Sequence, residues 1–170
     1  MKRTETEKFR KLLDDFSTAV LITYEQESHF RARPMVIAGV EENCDLWFIT
    51  NADSAKVHEI EADTRVHVIC QNGPTNCISI GGRASLSRNR AKIRELWKAP
   101  YRVWFPLGPD DPSIVLIRVT GEHGEYWDNT GVNRLVYVYQ AIKAVATRTT
   151  PKLKEGEQHG HVELPGSRDR

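Results

Sequence analysis

The chain is short of the residue patterns that announce most enzymes. It has three cysteines, Cys44, Cys70 and Cys77, in 170 residues. An odd number with no CxxC spacing argues against a disulfide framework and gives no structural zinc signature, so buried or half-buried free thiols are expected. No apolar run is long enough to span a bilayer. The net charge is only +1, so no global field draws the chain to nucleic acid or to an anionic membrane surface. The opening MKRTETEKFRKLLDDF lacks the apolar stretch of a secretory signal, and a cytoplasmic location is the expectation.

Catalytic fingerprints are missing as well. No GxGxxG follows a strand, no GxxxxGK[ST] occurs, and no GxSxG elbow is present. His58-Glu59 begins a zinc-protease HExxH, but Ala62 stands where the second histidine is needed. His159 and His161 fall in a polar tail, where solvated side chains are expected rather than a metal site, because ligands need supporting partners. No residue presents itself as a general acid or base.

What is present reads as one domain over 1–150 with a single core, followed by a polar tail over 151–170, expected to be mobile or loosely docked. Phe9, Leu12, Leu13 and Phe16 recur at helical spacing in a helix from Thr4 to Phe16. Strands are expected at Thr18 to Tyr24, Phe30 to Val40, Leu46 to Thr50, Arg65 to Gln71, Cys77 to Leu86, Ser113 to Thr120 and Gly124 to Asp128. The Gly81-Gly82 pair marks a bulge or tight bend. Further helices are expected at Ser54 to Ala62, Arg88 to Trp97 and Val132 to Ala146. The long crossover helices of a parallel sheet are missing. The fold class is therefore mostly β: an antiparallel barrel with peripheral α-helices.

Two segments carry candidate chemistry. In LWFITNADSAKVHEI a strand ends at Thr50 and a helix opens near Ser54. Free N–H groups at a helix start attract phosphate, and Thr50 and Ser54 add hydroxyls. Lys56 sits in the first helical turn, where the macrodipole disfavours a cation. Its charge makes sense facing a bound anion, although a solvated surface lysine is the plainer alternative. In FRARPMV, Phe30, Ala32, Pro34 and Val36 face one way and Arg31, Arg33 and Met35 the other. Pro34 cannot donate to a ladder, which places this strand at an edge or a bulge. Arg33 is either a bidentate phosphate clamp or part of a solvent face.

Together these segments resemble a known signature. Arg33-Pro34-Met35, then Phe48-Ile49-Thr50-Asn51, then Ser54-Ala55-Lys56 are similar to the R-x-M, F-x-T-N and S-x-K elements of the pyridoxamine 5′-phosphate oxidase-like flavoproteins. Trp104-Phe105-Pro106, Gly108-Pro109-Asp110-Asp111-Pro112, Glu125-Tyr126-Trp127-Asp128 and the tail segment EQHGHVEL resemble the general-stress-protein branch. The resemblance implies an FMN-binding split β-barrel with Greek-key-like connections, working as a homodimer with FMN at the subunit interface. It implies that Arg33, Thr50, Ser54 and Lys56 hold the flavin phosphate and ribityl chain. It also implies that the stretch from Met35 to Ala38, with Pro34, Val36, Phe48 and Ile49 nearby, runs along the ring. Trp104, Phe105 and Trp127 are either walls of the ring or interface core.

The chain departs from the oxidases in three places. Ala55 replaces the middle arginine of S-R-K. Asn76 and Cys77 stand near the position of a ring-contacting glutamine. No R-x-H substrate clamp occurs in the C-terminal half. The functional expectation is therefore an FMN-binding stress protein with a flavin-linked redox role. The alternatives are an FMN-dependent oxidoreductase on a small molecule and a split barrel holding another cofactor such as haem. The first two leave the catalytic residues unassigned.

Overall fold

The computed structural model describes residues 5–25, 29–73, 76–128, 143 and 159–168. The expected helix from Val132 to Ala146 falls outside this set apart from position 143. Helix α1, Glu5–Leu13, buries Phe9 and Leu13, and Phe16 follows it into the core. Strand β1, Thr18–Glu25, turns Ala19, Leu21 and Thr23 inward. Strand β2, His29–Val36, pairs with it antiparallel, and Val20 opposes Pro34. Beyond Val36 the expected single strand breaks, resuming only as β3, Gly39–Val40. Ile37 donates to Ser17 O and Ala38 to Trp47 O, so this short stretch bridges two strands.

Strands β4, Leu46–Asn51, β5, Arg65–Asn72, β6, Asn76–Ser87, and β7, Ile114–Asp128, supply most of the wall. The strand order is β2-β1-β5-β6-β7-β4-β3, antiparallel throughout. Both ends of this order, β2 and β3, come from one stretch of chain around Ile37. The sheet therefore curls into a barrel whose seam is crossed by that stretch, which is the split-barrel fold.

Strand β7 is continuous where two strands are expected. The interruption at Gly121–Gly124 is a bulge: Gly81 opposes His123 while Gly82 opposes Gly121, leaving Glu122 as the extra residue. Gly82 has to be glycine, because a Cβ there would lie 2.2 Å from the carbonyl oxygen of Thr120. Past the bulge β7 needs a new partner, and the tail provides it. Residues His159–Glu163 form β8, pairing antiparallel with His123–Trp127. The segment expected to be mobile or loosely docked is thus sheet, with Val162 and Leu164 buried in the main core. Gly160 lies against the Tyr126 hydroxyl, where a Cβ would come within 2.7 Å of it.

Helix α2, Ala55–Ala62, follows β4, and α3, Arg90–Leu96, follows β6. The barrel interior is filled by Leu21, Phe48, Val68, Ile78, Ile80, Val119 and Tyr126, among others. A second, smaller cluster lies outside the barrel. There Ile93 and Leu96 of α3, with Tyr101 and Phe105, pack on Trp47, Ile114 and Leu116. This outer layer brings aromatic side chains beside the end of β4. Among the described residues no helix is long and apolar enough to cross a membrane.

Candidate functional site

A cleft of about 420 Å³ opens where β2, β4, the start of α2 and the outer aromatic layer meet. Pro34, Met35 and Val36 form one side, and Ile49, Thr50 and Asn51 the floor. Ser54 and Lys56 stand at one end; Tyr101, Trp104 and Phe105 close the other side. The cleft is therefore polar at one end and aromatic and aliphatic along its length.

The polar end follows from local chain chemistry. Asn51 Oδ1 accepts from the Asp53 amide at 2.8 Å, an Asx turn that reverses the chain after β4. Ser54 is the N-cap of α2, yet its hydroxyl makes no capping bond. It lies 3.4 Å from Thr50 Oγ1 instead. Lys56 Nζ donates to Thr50 Oγ1 at 3.0 Å. The first N–H groups of a helix lack intrahelical acceptors, so this end carries positive potential. Burial, then the neighbouring Arg33 charge, pushes the Lys56 ammonium below the ordinary lysine value, with Glu59 opposing. A half-buried cation beside two hydroxyls and a helix start is an arrangement that an anion completes.

Arg33 is close enough to act on Lys56 but is engaged elsewhere. Its guanidinium donates to Glu59 Oε2 at 2.7 Å and to Thr23 Oγ1 at 2.6 Å. Thr23 in turn donates to the same Glu59 carboxylate. Arg31 Nε lies 3.8 Å from the other carboxylate oxygen of Glu59, Oε1. Glu59 and Thr23 are buried, so this ion-paired group is a fixed post behind the cleft. Arg33 itself is not one of the lining residues.

The aromatic side is built by the chain after α3. Pro100 opens a 3-10 turn, Ala99–Val103, that carries Tyr101 inward. Trp97 holds Tyr101 and Phe105 at ring-centroid distances of 5.7 and 6.4 Å. The Tyr101 hydroxyl is buried with no hydrogen-bond partner. Trp104 remains 63% exposed and Val36 43% exposed, so one flank of the cleft stands open to solvent.

The structure thus gathers Pro34, Met35, Val36, Ile49, Thr50, Ser54, Lys56 and Trp104 around one cleft. Phe48 is fully buried in the barrel interior, a support for its neighbours rather than a lining residue. Trp127 lies far along β7, opposite His159, outside this cleft within one chain. Sequence reasoning missed Tyr101. The available signal was the A-P-Y and W-F-P run, whose aromatics straddle a proline-started turn.

Comparisons with known proteins agree with the fold. The family model described as pyridoxamine 5′-phosphate oxidase like matches residues 4–152. Protein bli-3 of Neurospora crassa is 28% identical over 136 residues, covering 73% of this chain and 65% of that protein. The chain therefore spans somewhat less than two thirds of that curated relative. Among solved structures, the general stress FMN/FAD binding protein of Xanthomonas citri superposes with a TM-score of 0.61 at 27% identity, covering 74% of this chain and 89% of that one. A candidate general stress protein 26 of Jannaschia sp. CCS1 gives a TM-score of 0.71 at 23% identity, covering 94% and 98%. That last likeness bears on the fold alone.

Proposed function

Since the chain belongs to the pyridoxamine 5′-phosphate oxidase-like family, we propose that it binds FMN in this cleft as a homodimeric general stress protein with a flavin-linked redox role. The observation that carries the reading is the union of Lys56, Thr50 and Ser54 at a helix start with an aromatic and aliphatic trough beside them. A ligand fitting both is a phosphate ester on a planar ring, and the Xanthomonas citri relative is an FMN/FAD binding protein. Lys56 and the α2 amides hold the phosphate, while Thr50 and Ser54 complete its hydrogen bonds. Met35, Val36, Ile49, Tyr101, Trp104 and Phe105 flank the ring. Arg33, anchored on Glu59, adds positive potential from behind Lys56.

Bound FMN would supply one- and two-electron redox chemistry. The chain's own part is to grip the phosphate and to keep water from one face of the ring. The open flank calls for a second wall. The exposed side chains Val20 on β1 and Val36 on β2 adjoin it, and a two-fold partner covering them would close the cleft. Light scattering at micromolar concentration is expected to give twice the chain mass. A monomer that still binds FMN tightly would refute the dimer. The proposed redox role does not extend to pyridoxamine 5′-phosphate oxidation, because the chain has no C-terminal R-x-H clamp to orient that substrate.

The deciding experiment is a fluorescence titration of apo-protein with FMN and with riboflavin. Charge-assisted hydrogen bonds to phosphate contribute about 1.5–3 kcal/mol. Lys56→Ala is therefore expected to weaken FMN about tenfold to a hundredfold while leaving riboflavin nearly unchanged. Unchanged FMN affinity, or equal loss for both flavins, would remove the phosphate assignment.

A further inference from the structure

Four of the six histidines gather on the outer face of the sheet, away from the flavin cleft. The strand register puts them there. His67 on β5, Gly81 on β6, His123 on β7 and Glu163 on β8 form one cross-strand row. The next row holds Ile69, Ser79, Glu125 and His161, and the row after it Gln71, Cys77, Trp127 and His159. Gly81 leaves the space over which the His123 ring lies.

Within this face three side chains converge. His159 Nε2 lies 2.7 Å from Glu125 Oε1, and His161 Nε2 lies 3.5 Å from the same oxygen. The ligand-type atoms of all three residues fall within 4.8 Å of one another. The two imidazoles stand nearly perpendicular, with centroids 5.0 Å apart. Trp127 lies against the His159 ring at 5.2 Å and fixes its plane. His67, held by Ser79 at 2.7 Å, and His123 line an adjoining hollow of about 290 Å³ together with His161 and Glu163.

We propose that Glu125, His159 and His161 form a binding site for a divalent transition-metal ion of the zinc class. Two imidazoles and one carboxylate are the donor set of open zinc sites, in which a fourth position stays free. Imidazole donors select against magnesium and calcium, which take oxygen ligands. Ligands on a tetrahedral zinc sit roughly 3.3 Å apart for metal–ligand bonds of about 2.0–2.1 Å. The imidazoles and the carboxylate therefore need shift only slightly, exchanging a direct hydrogen bond for a shared ion. The free position faces the hollow flanked by His67 and His123. Glu125 is on β7 and both histidines are on β8, so the ion staples the last strand to the barrel.

The test uses untagged full-length protein, stripped with a chelator and titrated with Zn²⁺ against a chromophoric competitor, both without flavin and with FMN present. One zinc per chain at micromolar or tighter affinity is expected. Losing a supporting partner already costs about 10–100-fold in metal affinity, so His159→Ala and His161→Ala should each weaken binding by at least about tenfold. His123→Ala should leave it within about threefold. Zinc should also raise the melting temperature of the wild type but not of His161→Ala. His161 is exposed, so that variant is expected to fold. Wild-type affinity no tighter than that of the His159→Ala/His161→Ala double variant would overturn the proposal. So would a loss on His123→Ala that His161→Ala does not match.

Discussion

The two hollows of this barrel are built in opposite ways. The cleft proposed for flavin takes its polar end from seven consecutive positions, Thr50 to Lys56, where a strand, an Asx turn and a helix start follow one another. The histidine face takes its groups from β5, β7 and β8, which meet only through long-range pairing. In the cleft, one half-buried cation and two hydroxyls stand beside an aromatic wall. On the histidine face, four imidazoles and two carboxylates stand together, with Trp127 packed against one of the imidazoles. One arrangement suits an anion carried on a flat ring; the other suits a metal cation. The polar end of the cleft is assembled from neighbours in sequence, although its walls are not, whereas the histidine site exists only while β8 is docked.

The sharpest way to break this contrast is to undock β8. Leu164 is buried, its amide donates to Glu122 O at 3.0 Å, and its side chain fills the space over Gly121. Leu164→Ala is expected to destabilise the fold by about 2–5 kcal/mol, the range for buried leucine truncation. Urea denaturation measures it. The zinc affinity of the histidine face should fall with the docking of β8, while FMN affinity at low denaturant should stay near the wild-type value. A loss below about 1 kcal/mol would mean that the last strand is no part of the core.

A smaller effect separates the two cations beside the cleft. Arg33 anchors a buried carboxylate, whereas among the described residues Lys56 makes no ion pair. Arg33→Ala leaves Glu59 with Thr23 and the more distant Arg31. Breaking a buried ion pair costs about 3–5 kcal/mol, and Arg31 at 3.8 Å should recover part of it, so a stability loss of about 1–3 kcal/mol is expected. Its effect on FMN affinity should be weaker than that of Lys56→Ala. Lys56→Ala should show the reverse profile, with near-native stability and poor FMN binding. Thermal melts paired with flavin titrations read both. Matching profiles for the two variants would mean that the cations act as one unit.

What the sequence disclosed follows the same division. The turn and helix start around Thr50 to Lys56 are short-range features, and hydrophobic periodicity located α1, α2 and the barrel strands. Alternation also put Arg33 and Met35 on one side of β2, and Pro34 placed β2 at an edge or a bulge; the strand lies at one end of the sheet order. It did not disclose the Arg33–Glu59 pair, which joins β2 to α2 across 26 positions. Strand β7 was legible only as two pieces, because Gly121, Glu122 and Gly124 look like a break until β6 supplies the bulge partner. Strand β8 was hidden for another reason. Its inward residues are Gly160 and Val162, followed by the buried Leu164, and the glycine that fits against Tyr126 removes part of the apolar signal. Its outward residues, His159, His161 and Glu163, read as solvated tail. Tyr101 was missed because its place in the cleft depends on Trp97 and on a turn opened by Pro100.

The smallest expected effect is a pH dependence confined to the cleft proposed for flavin. Burial and the Arg33 charge hold the Lys56 ammonium below the ordinary lysine value in the free protein. A bound phosphate dianion stabilises the charged form and moves it back up. As pH rises through the free-protein value, unliganded Lys56 loses its proton first, and binding FMN then requires taking a proton up. FMN affinity should therefore decline on the alkaline side, by at most about tenfold per pH unit. On the acid side it should decline as the phosphate takes its second proton, near pH of about 6. Between these limits the affinity should be flat. Titrations over roughly pH 5–10 test this, with riboflavin run in parallel to remove any ionisation of the ring itself. In Lys56→Ala the alkaline limb should vanish, because no cation is left to deprotonate, while the acid limb persists through the α2 amides. An alkaline limb that survives Lys56→Ala would assign the titration to another group and leave Lys56 without a direct hold on the phosphate.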